Sequence, residues 1–195
     1  EAIQKFLDVG MTTNIHYVLS NSSIDEAIER LENKDFPNVH AVTFLLHKPV
    51  GLGEEENTLK PNDPRLIRFF ELVDLGNYPF KIGFDSCSVP GIINYTKNVV
   101  NETFDTCEGG RFSCYITPDM KMLPCSFDNE DLRWAVDLRN HTIEEAWNSL
   151  EFDHFRKSLS GSCSSCSKRN LCMGGCPIRP QVVLCDNKEK DLLYA

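Results

Sequence analysis

Apolar residues fall in two different rhythms along the first hundred positions. Residues 13–19 and 39–46 are short β-prone runs, the second almost continuously apolar through Val39, Ala41, Val42, Phe44, Leu45 and Leu46, as in a strand covered on both faces. Between them Ser23, Ile24, Asp25 and Glu26 read as a capping box, and Ala27, Ile28 and Leu31 give the helix that follows a buried face ending near Asn33. Asp63 and Pro64 start another helix, with Leu66, Ile67, Phe69, Phe70 and Val73 inward and Gly76 as terminator. Residues 80–84 form a third strand, and residues 1–9 read as an amphipathic helix. Further on, a capping box at Thr142 and Glu145 opens a helix over 142–152, with Ile143, Ala146, Trp147, Leu150 and Phe155 on one stripe.

Strands alternating with helices predict an α/β fold with a parallel sheet, and such units place functional groups at the carboxyl ends of their strands. Those ends are Ser20 and Asn21, then His47 and Lys48 with the loop to Gly53, then Asp85, Ser86 and Cys87. Three strands cannot close a barrel and would leave a long edge open, so the expectation is the C-terminal part of a partial (β/α) barrel whose N-terminal half is missing. His47, Lys48 and Asp85 read either as solvated loop residues or as contacts to a bound ligand. Gly51, Leu52 and Gly53 lack the third glycine of a dinucleotide fingerprint. His16, His40, His141 and His154 have no paired spacing and read as structural or surface groups.

Composition narrows the function classes. The chain has 195 residues, 41% of them hydrophobic, enough for one large or two small domains. Twenty basic against 29 acidic side chains give a net charge of -9 with no basic run, the wrong sign for nucleic acid. No apolar stretch reaches the roughly 18 residues of a membrane span, and a cytoplasmic location is expected. Nine cysteines are placed unevenly, with Cys87 alone and eight between 107 and 185. The expected division is therefore 1–104 and 105–195. Sequons at Asn21, Asn94, Asn101 and Asn140 offer a rival reading as a secreted disulfide protein, which the odd cysteine count and the short C-x2-C pair disfavour.

From Cys163 the spacing is C-x2-C-x5-C-x3-C through Cys166, Cys172 and Cys176, with Cys185 beyond and Cys107, Cys114 and Cys125 upstream. Thiolates are the soft ligands that iron–sulfur clusters and zinc both take, and a C-x2-C turn lets two sulfurs reach one centre. Gly174 and Gly175 between Cys172 and Cys176 let the backbone fold tightly and turn amides toward sulfur. Spacing alone leaves iron and zinc open.

The segment 107–185 resembles the SPASM domain, the twin auxiliary-cluster module that follows the barrel of radical S-adenosylmethionine enzymes. Ile116 to Cys125, reading I-T-P-D-M-K-M-L-P-C, is similar to that family's P-D-G-x-x-x-P-C hairpin, with Met120 where the glycine usually stands. The helix after Thr142 resembles the family's linking helix. The resemblance implies a small cysteine-rich domain with a β-hairpin and helices, holding two auxiliary [4Fe–4S] clusters. It implies one on Cys107, Cys114, Cys125 and Cys176, and a second on Cys163, Cys166, Cys172 and Cys185.

It further implies S-adenosylmethionine and a third [4Fe–4S] cluster in the missing N-terminal half, a ferredoxin- or flavodoxin-type electron donor, and a peptide or protein substrate. The C-x3-C-x2-C motif that would hold the third cluster does not occur in this sequence, so the chain alone is not expected to cleave S-adenosylmethionine. In sulfatase-maturing relatives an aspartate follows the cysteine matching Cys125. Here Ser126 stands there, which favours another peptide. At the carboxyl rim the resemblance gives His47 and Lys48 to cofactor or substrate binding. It gives Asp85 to orienting, and Cys87 either to packing or to hydrogen-atom donation to a substrate radical. The alternatives are a zinc-binding scaffold without catalysis and an autonomous ferredoxin-type carrier, the latter disfavoured by the large βα half.

Overall fold

A computed structural model describes residues 2–99, 103–161, 163 and 166–186. Asn101 and the tail 187–195 of the expected second domain lie outside the described residues. The chain forms two compact units, Glu1–Phe104 with Gln181–Asp186, and Asp105–Pro180 with Asn187–Ala195. The segment Gln181–Asp186 joins the first unit. Val182, Val183 and Leu184 are all buried there, and Asn94 Nδ2 donates to the Leu184 carbonyl at 3.2 Å.

The first unit holds three parallel strands in the order β1-β2-β3, namely β1 (Asn14–Leu19), β2 (Ala41–Leu46) and β3 (Lys81–Phe84). The crossovers run through α2 (Ile24–Asn33) and α3 (Pro64–Leu75), preceded by α1 (Ala2–Asp8) and followed by α4 (Val89–Tyr95). One sheet face is dry. Val42, Phe44 and Leu46 are buried, and the Phe44 ring meets Phe69 of α3 at 4.9 Å. The register puts Asn14, Ala41 and Lys81, then His16, Thr43 and Gly83, on the other face, where Asn14, His16 and Lys81 are exposed. The continuous apolar run of β2 thus has a fully buried side and a half-buried side, and on the second its neighbours mix polar Asn14, His16 and Lys81 with an exposed Val18.

Helix α3 begins as its sequence predicts. Asp63 accepts from the Arg65 amide at 2.9 Å, Pro64 occupies the first turn, and Gly76 ends it at φ 63°. Helix α2 does not use a capping box. Ser23 is itself helical, and its hydroxyl donates to the Val18 carbonyl at 2.7 Å while Glu26 pairs with Arg30. The serine is drawn back to the end of β1 by this bond. Helix α1 is not an inward-facing amphipathic element: none of its described residues is buried.

The second unit carries a three-stranded antiparallel sheet, β4 (Tyr115–Ile116), β5 (Lys121–Leu123) and β6 (Val136–Asp137), then α5 (Ile143–Trp147), α6 (Leu150–Gly161) and α7 (Arg169–Cys172). The β4–β5 hairpin closes through Thr117, which accepts from the Met120 amide at 3.0 Å and donates its own amide to the Lys121 carbonyl. Met120 sits at φ 66°, in the left-handed region where a glycine is favoured.

The Thr142–Glu145 capping box forms with both of its bonds. The helix predicted over 142–152 is broken, however. Asn148 Nδ2 returns to the Glu144 carbonyl at 2.9 Å and Ser149 Oγ accepts from the Phe152 amide at 3.3 Å, ending α5 and capping α6. The break changes the phase of the apolar stripe. Ile143 and Leu150 are therefore exposed, whereas Ala146, Phe152, Phe155 and Leu159 fill the core.

Candidate metal centre

No disulfide is formed among the described residues. The clearest grouping lies in the second unit. Cys176 is half-buried, and its thiol is pushed up to about 11, first by loss of water and further by the sulfurs of Cys107 and Cys125. Opposing this, the Arg179 amide donates to Cys176 Sγ at 3.3 Å. An amide donor of this kind offsets the charge that burial opposes in a metal-binding thiolate.

Backbone shape makes this grouping possible. After α7, Met173, Gly174 and Gly175 are three consecutive left-handed residues at φ 52°, 79° and 81°, reversing the chain between Cys172 and Cys176. The tight fold expected of the two glycines forms, with Met173 joining them, while the amides acting on the Cys176 sulfur are those of Ile178 and Arg179. At the other wall, Gly110 at φ 62° donates its amide to the carbonyls of Ser113 and Pro124. A side chain on Gly109 would meet the Pro124 carbonyl at 2.9 Å and Cys125 Cβ at 3.4 Å. The segment after Cys107 therefore lies against Cys125 only because it carries no side chain there.

The remaining cysteines are placed as follows. Cys114 is exposed, immediately before β4. Cys163 and Cys172 are buried and Cys166 is half-buried, its amide donating to the Cys163 carbonyl at 3.2 Å. Thr106 Oγ1 donates to the Cys172 carbonyl at 3.0 Å. Cys185 belongs to the segment that packs with the first unit. Among the described residues no three His, Cys, Asp or Glu side chains are gathered closely enough to hold one metal ion.

Several residues that shape the site were not singled out from sequence. Asp128 is fully buried and accepts from the amides of Arg133 and Trp134 at 3.2 and 3.1 Å; burial pushes its carboxyl up against these favourable bonds. Arg156 reaches the Gly110 carbonyl at 2.6 Å and the Trp147 carbonyl at 2.7 Å. Arg179 pairs with Glu130 and bonds the Phe127 carbonyl. Only Gly109 and Gly110 carried a visible signal, a glycine pair just after a cysteine.

Residues 107–167 match the SPASM iron–sulfur cluster-binding domain. The SPASM match begins at Cys107, contains the Met120 hairpin and the Thr142 capping box, and ends just past Cys166. Neither the curated proteins nor the solved structures yield a match to this chain. Among the described residues no helix is long and apolar enough to cross a membrane.

In the first unit the rim residues take specific partners. His47 Nε2 bonds the Glu54 carbonyl at 3.0 Å, closing its own loop, and Gly53 lies so near the Lys48 carbonyl that no side chain fits. Lys48 pairs with Asp85, whose Oδ1 accepts from the Ser88 hydroxyl at 2.7 Å and whose Oδ2 accepts from the Leu46 amide at 3.2 Å. Burial opposes the charge of Lys48, but the Cys87 sulfur and the Asp85 carboxylate outweigh it and raise its pKa.

Proposed function

We propose that this chain is the C-terminal part of a radical S-adenosylmethionine enzyme that modifies a peptide or protein, and that its second unit holds auxiliary [4Fe–4S] clusters. One observation carries the reading: Cys107 and Cys125, both within the segment that matches the SPASM domain, act electrostatically on the half-buried Cys176 that follows it. Cys107, Cys125 and Cys176, with Cys114, are assigned to one cluster, and Cys163, Cys166 and Cys172 contribute to another. Such clusters supply one-electron transfer or an open iron for substrate. The protein's own residues half-bury Cys176, donate an amide to its sulfur and, through Gly109 and Gly110, admit the backbone close to Cys125. The parallel βα units of the first unit, with their partly polar sheet face, suit part of a barrel that faces a substrate.

Anaerobic purification with iron, sulfide and zinc analysis tests the metal. About eight irons with charge-transfer absorption are expected for two cubane clusters, and stoichiometric zinc in a colourless protein would sink the reading. Replacement of Cys176 by alanine is expected to lower the iron content by about half while the other cluster stays. A full iron count in that variant would refute the assignment of Cys176.

A further inference from the structure

The carboxyl ends of β2 and β3 bring together a cation, a carboxylate and a sulfur that the iron–sulfur reading does not use. Lys48 and Asp85 form an ion pair whose side chains are only 11% and 17% exposed. Asp85 is fixed by the Leu46 amide on one oxygen and by the Ser88 hydroxyl on the other. It therefore holds the Lys48 ammonium in place, and the Cys87 sulfur lies near enough to act on the same ammonium electrostatically. Cys87 itself is half-buried, in the short turn Ser86–Ser88 that leaves β3. A nucleophile, a charge that stabilises its ionised form and a third group that orients that charge make up the arrangement by which proteins activate a thiol.

We propose that Cys87 is a reactive thiolate, stabilised by Lys48 and positioned through Asp85, that takes up the sulfur of a small disulfide as a mixed disulfide. The Cys87 sulfur attacks one sulfur of the disulfide, a new S–S bond forms as the old one breaks, and the departing thiolate takes a proton from water. The exchange needs no other oxidant. A thiolate carries no hydrogen atom, so this chemistry is distinct from hydrogen donation to a substrate radical. It is also independent of which metal the second unit holds.

The test follows Cys87 by peptide mass spectrometry in the whole chain, purified anaerobically and treated with iodoacetamide or with glutathione disulfide at pH 7. An ordinary thiol, with a pKa of about 8.5, is only a few per cent ionised at that pH. Folded Cys87 is expected to react about tenfold faster than the same residue in urea, despite its partial burial. An equal or slower rate in the folded protein overturns the proposal, and this comparison needs no variant. Lys48→Gln should slow the folded reaction about tenfold and Lys48→Arg should restore most of it. If Lys48→Gln leaves the rate unchanged or raises it, or if Lys48→Arg is as slow as Lys48→Gln, the ammonium is not what activates the sulfur.

Discussion

Single residues in the second unit hold conformations or burdens that their neighbours impose. Met120 is the clearest case, since an L side chain in the left-handed region costs about 1–2 kcal/mol and Met120 is half exposed, so little packing is returned. Met120→Gly is expected to stabilise the second unit by about 1 kcal/mol, after allowing for glycine's greater freedom in the unfolded chain. Urea unfolding followed by tryptophan fluorescence reads this unit alone, because both tryptophans, Trp134 and Trp147, belong to it. A lower midpoint would show that the Met120 side chain contributes contacts the hairpin needs. Asp128→Ala acts in the opposite direction. It strips partners from two backbone amides, and a loss of about 2–4 kcal/mol is expected in the same assay. The residue change at 120 was visible in the sequence, but its strained backbone was not, because an aspartate-methionine turn carries no conformational signature of its own. Asp128 was invisible for a different reason: an acidic residue in a polar stretch reads as solvated until the loop around it is seen to close.

At the level of elements, local signals were readable where the chain acts on itself and unreadable where distant chain competes for the same groups. The Asp63–Pro64 start and the Thr142–Glu145 box each satisfy amides within one turn, and both form. Ser23 had the same local pattern, yet the end of β1 claims its hydroxyl. The split between α5 and α6 turns on Asn148 and Ser149, two residues whose side chains bond the backbone instead of extending the helix. A stripe drawn through that break assigns Ile143 and Leu150 to the wrong side. Packing between α3 and α4 is set by Gly91, where an added Cβ would lie 2.8 Å from the Phe70 ring and 3.0 Å from Leu184. Gly91→Ala gains helix propensity of about 1 kcal/mol but overpacks a rigid aromatic contact at a cost of about 1–3 kcal/mol. A net loss in the thermal midpoint of the far-ultraviolet circular dichroism signal is expected. A gain would mean that Phe70 and Leu184 yield without strain.

For the whole molecule, the sequence separated a βα half from a cysteine half because the two use different periodicities and different chemistry, and both halves are present. The cysteine spacing pointed to soft-metal binding, and the grouping of Cys107, Cys125 and Cys176 needed the reversal through Met173, Gly174 and Gly175, which only coordinates reveal. What spacing concealed was the return of residues 181–186 to the first unit, since Val182, Val183 and Leu184 would serve equally as core for either half. That return orders events during synthesis. The first unit contains Leu184, which lies against Gly91 and accepts from Asn94, so its packing stays incomplete while the ribosome makes the intervening cysteines. The second unit's sulfurs reach solution before the parallel sheet's unit has its last buried residues. A nascent chain stalled before residue 181 should therefore leave the first unit open to protease, and release of only a few more residues should close it.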